Sequence, residues 1–393
     1  MPQRMKHNLH VVVVPSLYPT GVSPVEGIYV QDQVQMLCRA GIRVAVLYPE
    51  MRSWRTVTLC QRPWANRFQA KSYREAGVDA LRIHGWNIPR LKRGTRVWLG
   101  WVMKLVKDYV ESHGKPDLCH AHNCHWAGVS GRMMKKVYGI PYLITEHSTA
   151  FARGLLKPWQ ARDAHDALEG ADAVLAVSEA LKRDLQPYAP GKSLNTVSNV
   201  VDTAFFCPPS DRAPSSAFRF LSVAHLVKHK GIDDLIRAFA ELRSQHPFFI
   251  LEIGGDGPEK PGLARLAREL HLGDGIRFLG KLDRYGVRDA MWRADVFVLP
   301  SHVETFGVVL IEALATGLPV VATRSGGPEG FVNEDAGFLV ETRNPRALAK
   351  ALETAFRRYP DFDKCHLRRY AEERFGESAI LERVVEIYQQ ILR

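Results

Sequence analysis

No segment of this 393-residue sequence approaches the roughly 20 uncharged residues that a membrane-spanning helix requires. A soluble or peripheral protein is therefore expected. The first apolar run, Leu9 to Val14, ends at Pro15, is shorter than the apolar region of a secretory signal and is followed by no small-residue cleavage site. It predicts a first β-strand instead. A disulfide framework is also missing. The cysteines, Cys38, Cys60, Cys119, Cys124, Cys207 and Cys365, have no regular spacing, which points to reduced thiols in a cytoplasmic protein. There is no low-complexity tract and no short repeat. Acidic residues are scarce between Arg52 and Lys107, where only Glu75 and Asp79 face thirteen lysines and arginines.

What is present is globular. Hydrophobic residues make up 46% and charged residues 24% of the chain, so disorder is not predicted. The length suits two domains, each with its own core. The formal charge of +11 favours anionic partners (nucleic acid, anionic lipid or phosphorylated substrates) without choosing among them.

Short apolar runs alternate with helix-length segments from end to end. Strands are expected at 10–14, 43–48, 118–120, 142–145, 173–178 and 196–198, then at 218–224, 248–254, 276–279, 296–300, 319–323 and 337–340. This alternation implies βαβ crossovers and parallel sheets covered on both faces. The Pro/Ser-rich stretch 207–217 separates the two sets and reads as a linker. After Arg374, the spacing of Ile380, Val384, Val385, Tyr388, Ile391 and Leu392 predicts a terminal amphipathic helix. In such folds ligands favour the carboxyl ends of the strands, here facing a cleft between the domains.

The most informative stretch runs from Pro300 to Thr323: strand, loop, helix, glycine stop, strand. Phe306, Gly307 and Val308 fall at the helix start, where free N–H groups and the positive dipole end suit a diphosphate. Glu304 precedes that end and Glu312 lies about two turns in. Around a diphosphate, one carboxylate would meet a sugar and the other a ribose, since hydroxyls donate well to carboxylates. Taken singly, each acid reads more readily as a solvated residue. A second group, His225, Lys228, His229, Lys230 and Gly231, follows the first strand of the second half. Its cations suit a phosphate, although an isolated basic loop is commonly solvated surface. Gly254, Gly255, Asp256, Gly257 and Pro258 superficially suggest a dinucleotide loop, but Lys260 stands where the third glycine belongs. A tight turn lining a nucleotide pocket is the better reading.

Together these residues resemble glycosyltransferase family four, the GT-B family of retaining enzymes, over nearly the whole chain. Glu304 and Glu312 match its glutamate pair, with Phe306, Gly307, Ala313, Gly317 and Pro319 around them. The segment from Asn199 to Pro208, the Lys230–Gly231 pair, the 254–258 turn and Gly326-Gly327-Pro328-Glu329 also fit. The resemblance implies an α/β fold of two Rossmann-like domains, with parallel sheets facing an interdomain cleft. An acceptor-binding domain would span 1–206 and a nucleotide-sugar-binding domain 218–373, with 374–393 packing back on the first. It implies Lys230 on the donor diphosphate, Glu312 on the ribose and Glu304 on the sugar hydroxyls, with Gly257, Phe306, Gly307 and Val308 completing the donor site. Where the family usually has an arginine, this chain has His225, which is shorter and largely neutral at pH 7.

In the first half, His120, His122 and His125 lie with Cys119 and Cys124 in seven positions. Zinc clusters draw ligands from separated turns, and strand alternation throws neighbours onto opposite faces, so no metal is expected. His120 and His125 read as buried structural residues. By resemblance His122 is the active-site histidine, and His147 at the next strand end is a second candidate. The loop from Pro15 to Gln33 resembles the family's phosphate- or acceptor-facing loop, with Gly27 and Ile28 at its apex; a plain connecting turn is the alternative.

The basic stretch carries Trp54, Trp64, Trp86, Trp98 and Trp101. Between Arg90 and Val110 it predicts a cationic helix, with the stretch from Arg90 to Lys107 as its basic part. Such a helix can lie on an anionic leaflet with Trp98 and Trp101 at the interface, or pack its apolar side into the core with its cations in water. Relatives acting on polyprenyl-linked or lipopolysaccharide acceptors favour membrane contact, at the inner face. The function expected is a hexosyltransferase of polysaccharide or lipopolysaccharide biosynthesis, taking a UDP-sugar before GDP-mannose, with no cofactor and no metal. The acceptor is a glycan, lipid-linked or at the cell surface. The alternatives are a GT-B sugar-nucleotide epimerase and a noncatalytic protein binding sugar nucleotide or nucleic acid. No RNA-binding motif accompanies the basic stretch, so no nucleic-acid partner is expected.

Overall fold

The fold is that of a computed structural model describing residues 9–21, 23–53, 69–75, 77–87, 94–211 and 217–393. Two compact units are present. One holds the chain to Val177, then Leu181–Val197 and Leu381–Arg393; the other holds Ser178–Ala180 and Ser198–Ile380. Positions 212–216 of the Pro/Ser segment lie outside the described residues.

The first unit is built on β1 (His10–Pro15), α1 (Ile28–Arg39), β2 (Arg43–Ser53), β3 (Lys71–Glu75), β4 (Val78–Asn87) and α2 (Gly94–His113). It continues through β5 (Leu118–His122), α3 (Val129–Tyr138), β6 (Tyr142–Glu146), α4 (Pro158–Gly170), β7 (Ala173–Ala176), α5 (Glu179–Leu185) and β8 (Asn195–Thr196). The strand order is β3-β4-β2-β1-β5-β6-β7-β8. β1, β5 and β6 are buried at every position, as apolar strands covered on both faces must be.

Two elements depart from the expected pattern. The basic stretch folds partly as a hairpin: β3 runs antiparallel to β4, which then pairs parallel with β2. The sheet is therefore mixed at this edge. Val78, Ala80, Leu81 and Ile83 are buried, and so is Arg82, only 8% exposed. Its guanidinium donates to the Pro19 carbonyl at 2.8 Å and lies over the rings of Tyr18 and Tyr48. The alternation was masked by cations that pack instead of solvating.

The helix expected from Arg90 begins, in the described residues, at Gly94; positions 90–93 lie outside them, as do Trp54 and Trp64. Trp98 is not an interfacial residue. It is 1% exposed and its indole N–H donates to the Pro49 carbonyl at 3.0 Å. Leu105 and Val106 are buried beside it in sequence, so this face of α2 belongs to the core. Lys104 and Lys107 pair with Asp108 and Glu111 one turn on, at 3.0 and 3.7 Å. No helix among the described residues is long and apolar enough to cross a membrane.

The second unit contains β9 (Phe218–Val223), α6 (Ile232–Arg243), β10 (Phe249–Gly254), α7 (Lys260–Glu269), β11 (Ile276–Gly280), α8 (Arg284–Arg293) and β12 (Val296–Leu299). It continues with α9 (Val308–Ala315), β13 (Val320–Thr323), β14 (Gly337–Val340), α10 (Pro345–Arg357) and α11 (Lys364–Phe375). Its sheet, ordered β11-β10-β9-β12-β13-β14, is parallel throughout. The apolar faces of β9, β10, α6 and α10 make a continuous core around Phe220, Phe239, Phe249 and Leu352. The chain ends in α12 (Glu377–Ile391), and the buried Tyr388 near its end hydrogen-bonds His120 of the first unit's sheet at 2.7 Å.

Candidate active site

In the second unit the expected donor residues converge on the carboxyl ends of β9, β10 and β12. After β12 the chain turns through Ser301 and Glu304 into α9. Gly307 caps this helix with φ +92, a left-handed conformation open to glycine. The 304–306 backbone is held from outside. The Glu304 N–H donates to the Ser325 carbonyl at 2.9 Å, and its own carbonyl accepts from Gly327 at 2.8 Å. A Cβ on Gly327 would lie 2.4 Å from the Phe306 backbone, so only glycine permits this approach. The Phe306 ring is buried near Phe331 and Phe375. Its contribution to the site is therefore its backbone position.

Lys230 reaches the same point from the loop after β9. Its Nζ lies 2.5 Å from Glu304 Oε2, with the two side chains 19% and 10% exposed. The Ser301 hydroxyl lies 3.4 Å from the same oxygen. Gly231, at φ +63, puts a hypothetical Cβ 2.2 Å from the Pro300 carbonyl. The His302 N–H donates to the His229 carbonyl at 2.8 Å, and the His302 ring meets Asp234 at 2.8 Å. Sequence reasoning passed over Ser301, Asp234 and His302; only their nearness to Glu304 and Lys230 pointed to them.

The 254–258 turn is a backbone partner of the His225 loop. Leu226 donates to Asp256 at 2.9 Å and Glu259 donates to Leu226 at 3.0 Å. Side chains on Gly255 or Gly257 would strike the Ala224 or Leu226 carbonyl. His225 itself is exposed and Lys228 likewise. Glu312 is half-buried at the fifth position of α9, one turn into the helix instead of two. A cation, a carboxylate, a hydroxyl and the first-turn amides of α9 thus gather in one place. Amides of a first turn have no intrahelical acceptors, and with Lys230 they form a cradle for an anion.

The first unit presents a separate cluster at the carboxyl ends of β5 and β6. His122, 1% exposed, stacks on His120 at 4.4 Å, and its Nδ1 lies 3.0 Å from His147 Nε2. Burial, then the neighbouring His120 and His147 rings, drive its pKa well below the ordinary histidine value, so it is a neutral base with a buried, unpartnered Nε2. His120 is structural, bridging Tyr388 and Thr145 at 2.7 Å each; burial pushes it down to about 3. His125 is pushed down to about 4, also by burial.

The residue missed here is Glu146. Fully buried, it accepts the N–H groups of Cys124, His147 and Ser148 at 2.6, 3.0 and 2.8 Å. It thereby ties the turn after His122 to the start of the His147 loop. Burial raises its pKa, and these N–H groups oppose the rise. Asn123 and Trp126 in that turn have positive φ, 73 and 71. Tyr29 of α1 packs on His147 at 4.4 Å. Gly27, at φ +73, would bring a Cβ to 2.4 Å from the Leu17 carbonyl, so the glycine lets the loop fold back on itself and aims Ile28 into the first turn of α1.

Comparison with known proteins agrees with this geometry. The Glycosyltransferase Family 4 model matches residues 27–205 and the Glycosyl transferases group 1 model residues 208–374. D-inositol 3-phosphate glycosyltransferase 2 of Catenulispora acidiphila is 32% identical over 70% of this chain and 71% of its own. The putative teichuronic acid biosynthesis glycosyltransferase TuaC of Bacillus subtilis is 25% identical over 88% of each. Among solved structures, sucrose-phosphate synthase from Thermosynechococcus elongatus superposes with a TM-score of 0.81 at 23% identity, over 97% of this chain and 99% of that one. Anabaena HepE in complex with UDP-glucose gives 0.72 at 20%, over 97% and 100%. The matched models, the two Rossmann-like sheets and the residues at their carboxyl ends make the chain a member of glycosyltransferase family 4, a GT-B glycosyltransferase of the group 1 type.

Proposed function

We propose that the protein is a retaining hexosyltransferase that takes its sugar from a nucleoside diphosphate sugar, a UDP-sugar before GDP-mannose. The acceptor is a hydroxyl of a lipid-linked or cell-surface glycan made in polysaccharide or lipopolysaccharide biosynthesis. The observation that carries the reading is the Lys230–Glu304 pair at the N-terminus of α9. One charge suits a diphosphate and the other suits sugar hydroxyls, a few ångströms apart. The UDP and UDP-glucose complexes of HepE support the choice of donor, and TuaC's teichuronic acid biosynthesis supports the choice of acceptor class.

In this reading the anomeric C1–O bond to the diphosphate breaks and a new C1–O bond to the acceptor forms on the same face. The acceptor proton passes to the departing phosphate oxygen. Lys230 and the α9 amides stabilise the charge that develops on that phosphate, which is where preorganised donors act most strongly. Glu304 orients the sugar, Glu312 the ribose, and Gly257 and Val308 border the nucleotide. The neutral His122, steadied by His147, is assigned to the acceptor hydroxyl. No metal ion takes part in these steps. Incubation with EDTA should leave the rate unchanged, and one tightly held zinc per chain would contradict the assignment. The direct assay is transfer from UDP-hexoses to glycan acceptors, with the product's anomeric configuration read by NMR. Retention supports the reading, inversion defeats it, and donor turnover without acceptor would indicate an epimerase.

A further inference from the structure

The loops that carry Lys230 and Glu304 leave neighbouring strands of the second unit, β9 and β12. These two are paired at Phe220 with Val296 and at Leu221 with Phe297. Both run on past that point, β9 to Val223 and β12 to Leu299. Ladder bonds fix the spacing of adjacent strands, so beyond Leu221 and Phe297 the spacing of the two loops falls to other contacts. His302 makes two of them. Its N–H donates to the His229 carbonyl at 2.8 Å. Its ring Nε2 lies 2.8 Å from Asp234 Oδ2, the side chains being 13% and 17% exposed. A carboxylate only accepts, so Nε2 carries the hydrogen whether the ring is neutral or charged. His229 precedes Lys230, and Asp234 lies in the first turn of α6, which Gly231 caps. His302 therefore grips the chain on either side of Lys230. Gly231 leaves room for that grip, since a Cβ there would stand 3.1 Å from the ring Cδ2 and Nε2.

The Lys230–Glu304 contact joins the same two loops, but it cannot act at full strength once a diphosphate is bound. An ammonium has a fixed set of donor hydrogens, and those that turn to phosphate oxygens leave the carboxylate. The His302–Asp234 bond uses neither group. It persists with or without the anion, and its share in holding the loops together is larger when the anion is present. Hydrogen bonds to an ionised group are also the stronger kind, the more so where water is largely excluded. Loss of this bond is thus felt in donor affinity, and not in stability alone.

We propose that His302 and Asp234 are positioning residues of the donor site, holding the Lys230 ammonium at the spacing from α9 that a nucleoside diphosphate needs. This rests on the donor reading above and adds to it the groups through which Lys230 is placed. The test is titration calorimetry of the full chain with UDP, beside melting temperatures without ligand. His302→Ala and Asp234→Ala should each weaken UDP binding about tenfold. The double variant should be no weaker than either single one, because all three lose the same contact. His302→Gln should bind within about threefold of wild type, since its side-chain amide reaches the place of Nε2 and donates to Asp234. In the Lys230→Met background, His302→Ala should change UDP affinity by less than about threefold, because the group it positions is gone. A histidine with only a structural role would weaken binding by the same factor in both backgrounds. Should His302→Ala lower the melting temperature strongly, His302→Leu, which fills the space without a donor, takes its place beside His302→Gln. Wild type that does not bind UDP would overturn the donor reading and this assignment with it. Wild type that binds while His302→Ala and His302→Leu bind equally well, or a loss from His302→Ala that is undiminished in the Lys230→Met background, would overturn this assignment alone.

Discussion

Replacing Lys230 with methionine separates the two roles assigned to its ammonium. The Lys230–Glu304 contact is 2.5 Å, between side chains 19% and 10% exposed. Removing one partner of a fully buried pair costs about 3–5 kcal/mol. Partial exposure and the nearby Ser301 hydroxyl, at 3.4 Å from Glu304, reduce the expectation to about 2 kcal/mol, since solvent and a hydroxyl each satisfy some of the orphaned charge. The double variant Lys230→Met/Glu304→Gln removes that orphan, so most of the lost stability should return. Turnover should not return. Losing a cation aimed at developing phosphate charge is expected to lower kcat by about 10²–10³, and loss of the sugar contact adds to this. Denaturant unfolding of wild type, both singles and the double gives the stability cycle, and UDP release gives turnover. A Lys230→Met protein with kcat within threefold of wild type, or a double variant no more stable than that single variant, would contradict both roles of the ammonium.

His122→Ala should abolish transfer while leaving donor affinity within about threefold, measured by calorimetry beside transfer rates; unchanged kinetics would move the role to His147. Gly231→Ala forces a Cβ against the Pro300 carbonyl, 2.2 Å away, at φ +63. It should cost about 2 kcal/mol and weaken donor binding by displacing Lys230, both readable by thermal unfolding with and without UDP. Stability should fall on acidification. His120, His122 and His125 all have folded pKa values below the ordinary 6.5. Their stabilising neutral state is complete above pH 6.5 and is lost as the unfolded chain takes up protons below it, at up to about 1.4 kcal/mol per pH unit for each histidine. Glu146, raised by burial, acts in the opposite sense in the carboxylate range. Melting temperatures at pH 7, 6 and 5 check the sign, and a flat profile would contradict it.

The second unit was legible nearly in full because its strands are short and mostly apolar, and β10, β11 and β12 end at Gly254, Gly280 and Pro300. Glu304, Lys230 and Gly231 were readable for a related reason. Each sits where a strand gives way to a helix, and that junction fixes where a side chain can go. The β3–β4 hairpin was not legible, because Arg82 is a charged residue that packs between tyrosines, and periodicity counts it as polar. Trp98 illustrates the reverse error. An aromatic among cations reads as interfacial, whereas one backbone acceptor, the Pro49 carbonyl, lets the indole be buried whole. Glu146 lies next to His147, a residue the sequence singled out, yet its role depends on the Cys124 amide brought from the turn after β5. No local pattern reports such a contact.

The proposed donor site places a uridine diphosphate in the second unit between Lys230, the start of α9 and Glu312. Titration calorimetry of the full chain with UDP and with GDP tests this most directly, using wild type, Lys230→Met and Glu312→Ala. Wild type should show saturable one-to-one UDP binding, with GDP weaker by about tenfold, and each variant should bind UDP more weakly than wild type by about tenfold or more, an energy of about 1.4 kcal/mol. UDP binding that is absent, or that both variants retain at wild-type strength, would contradict that placement.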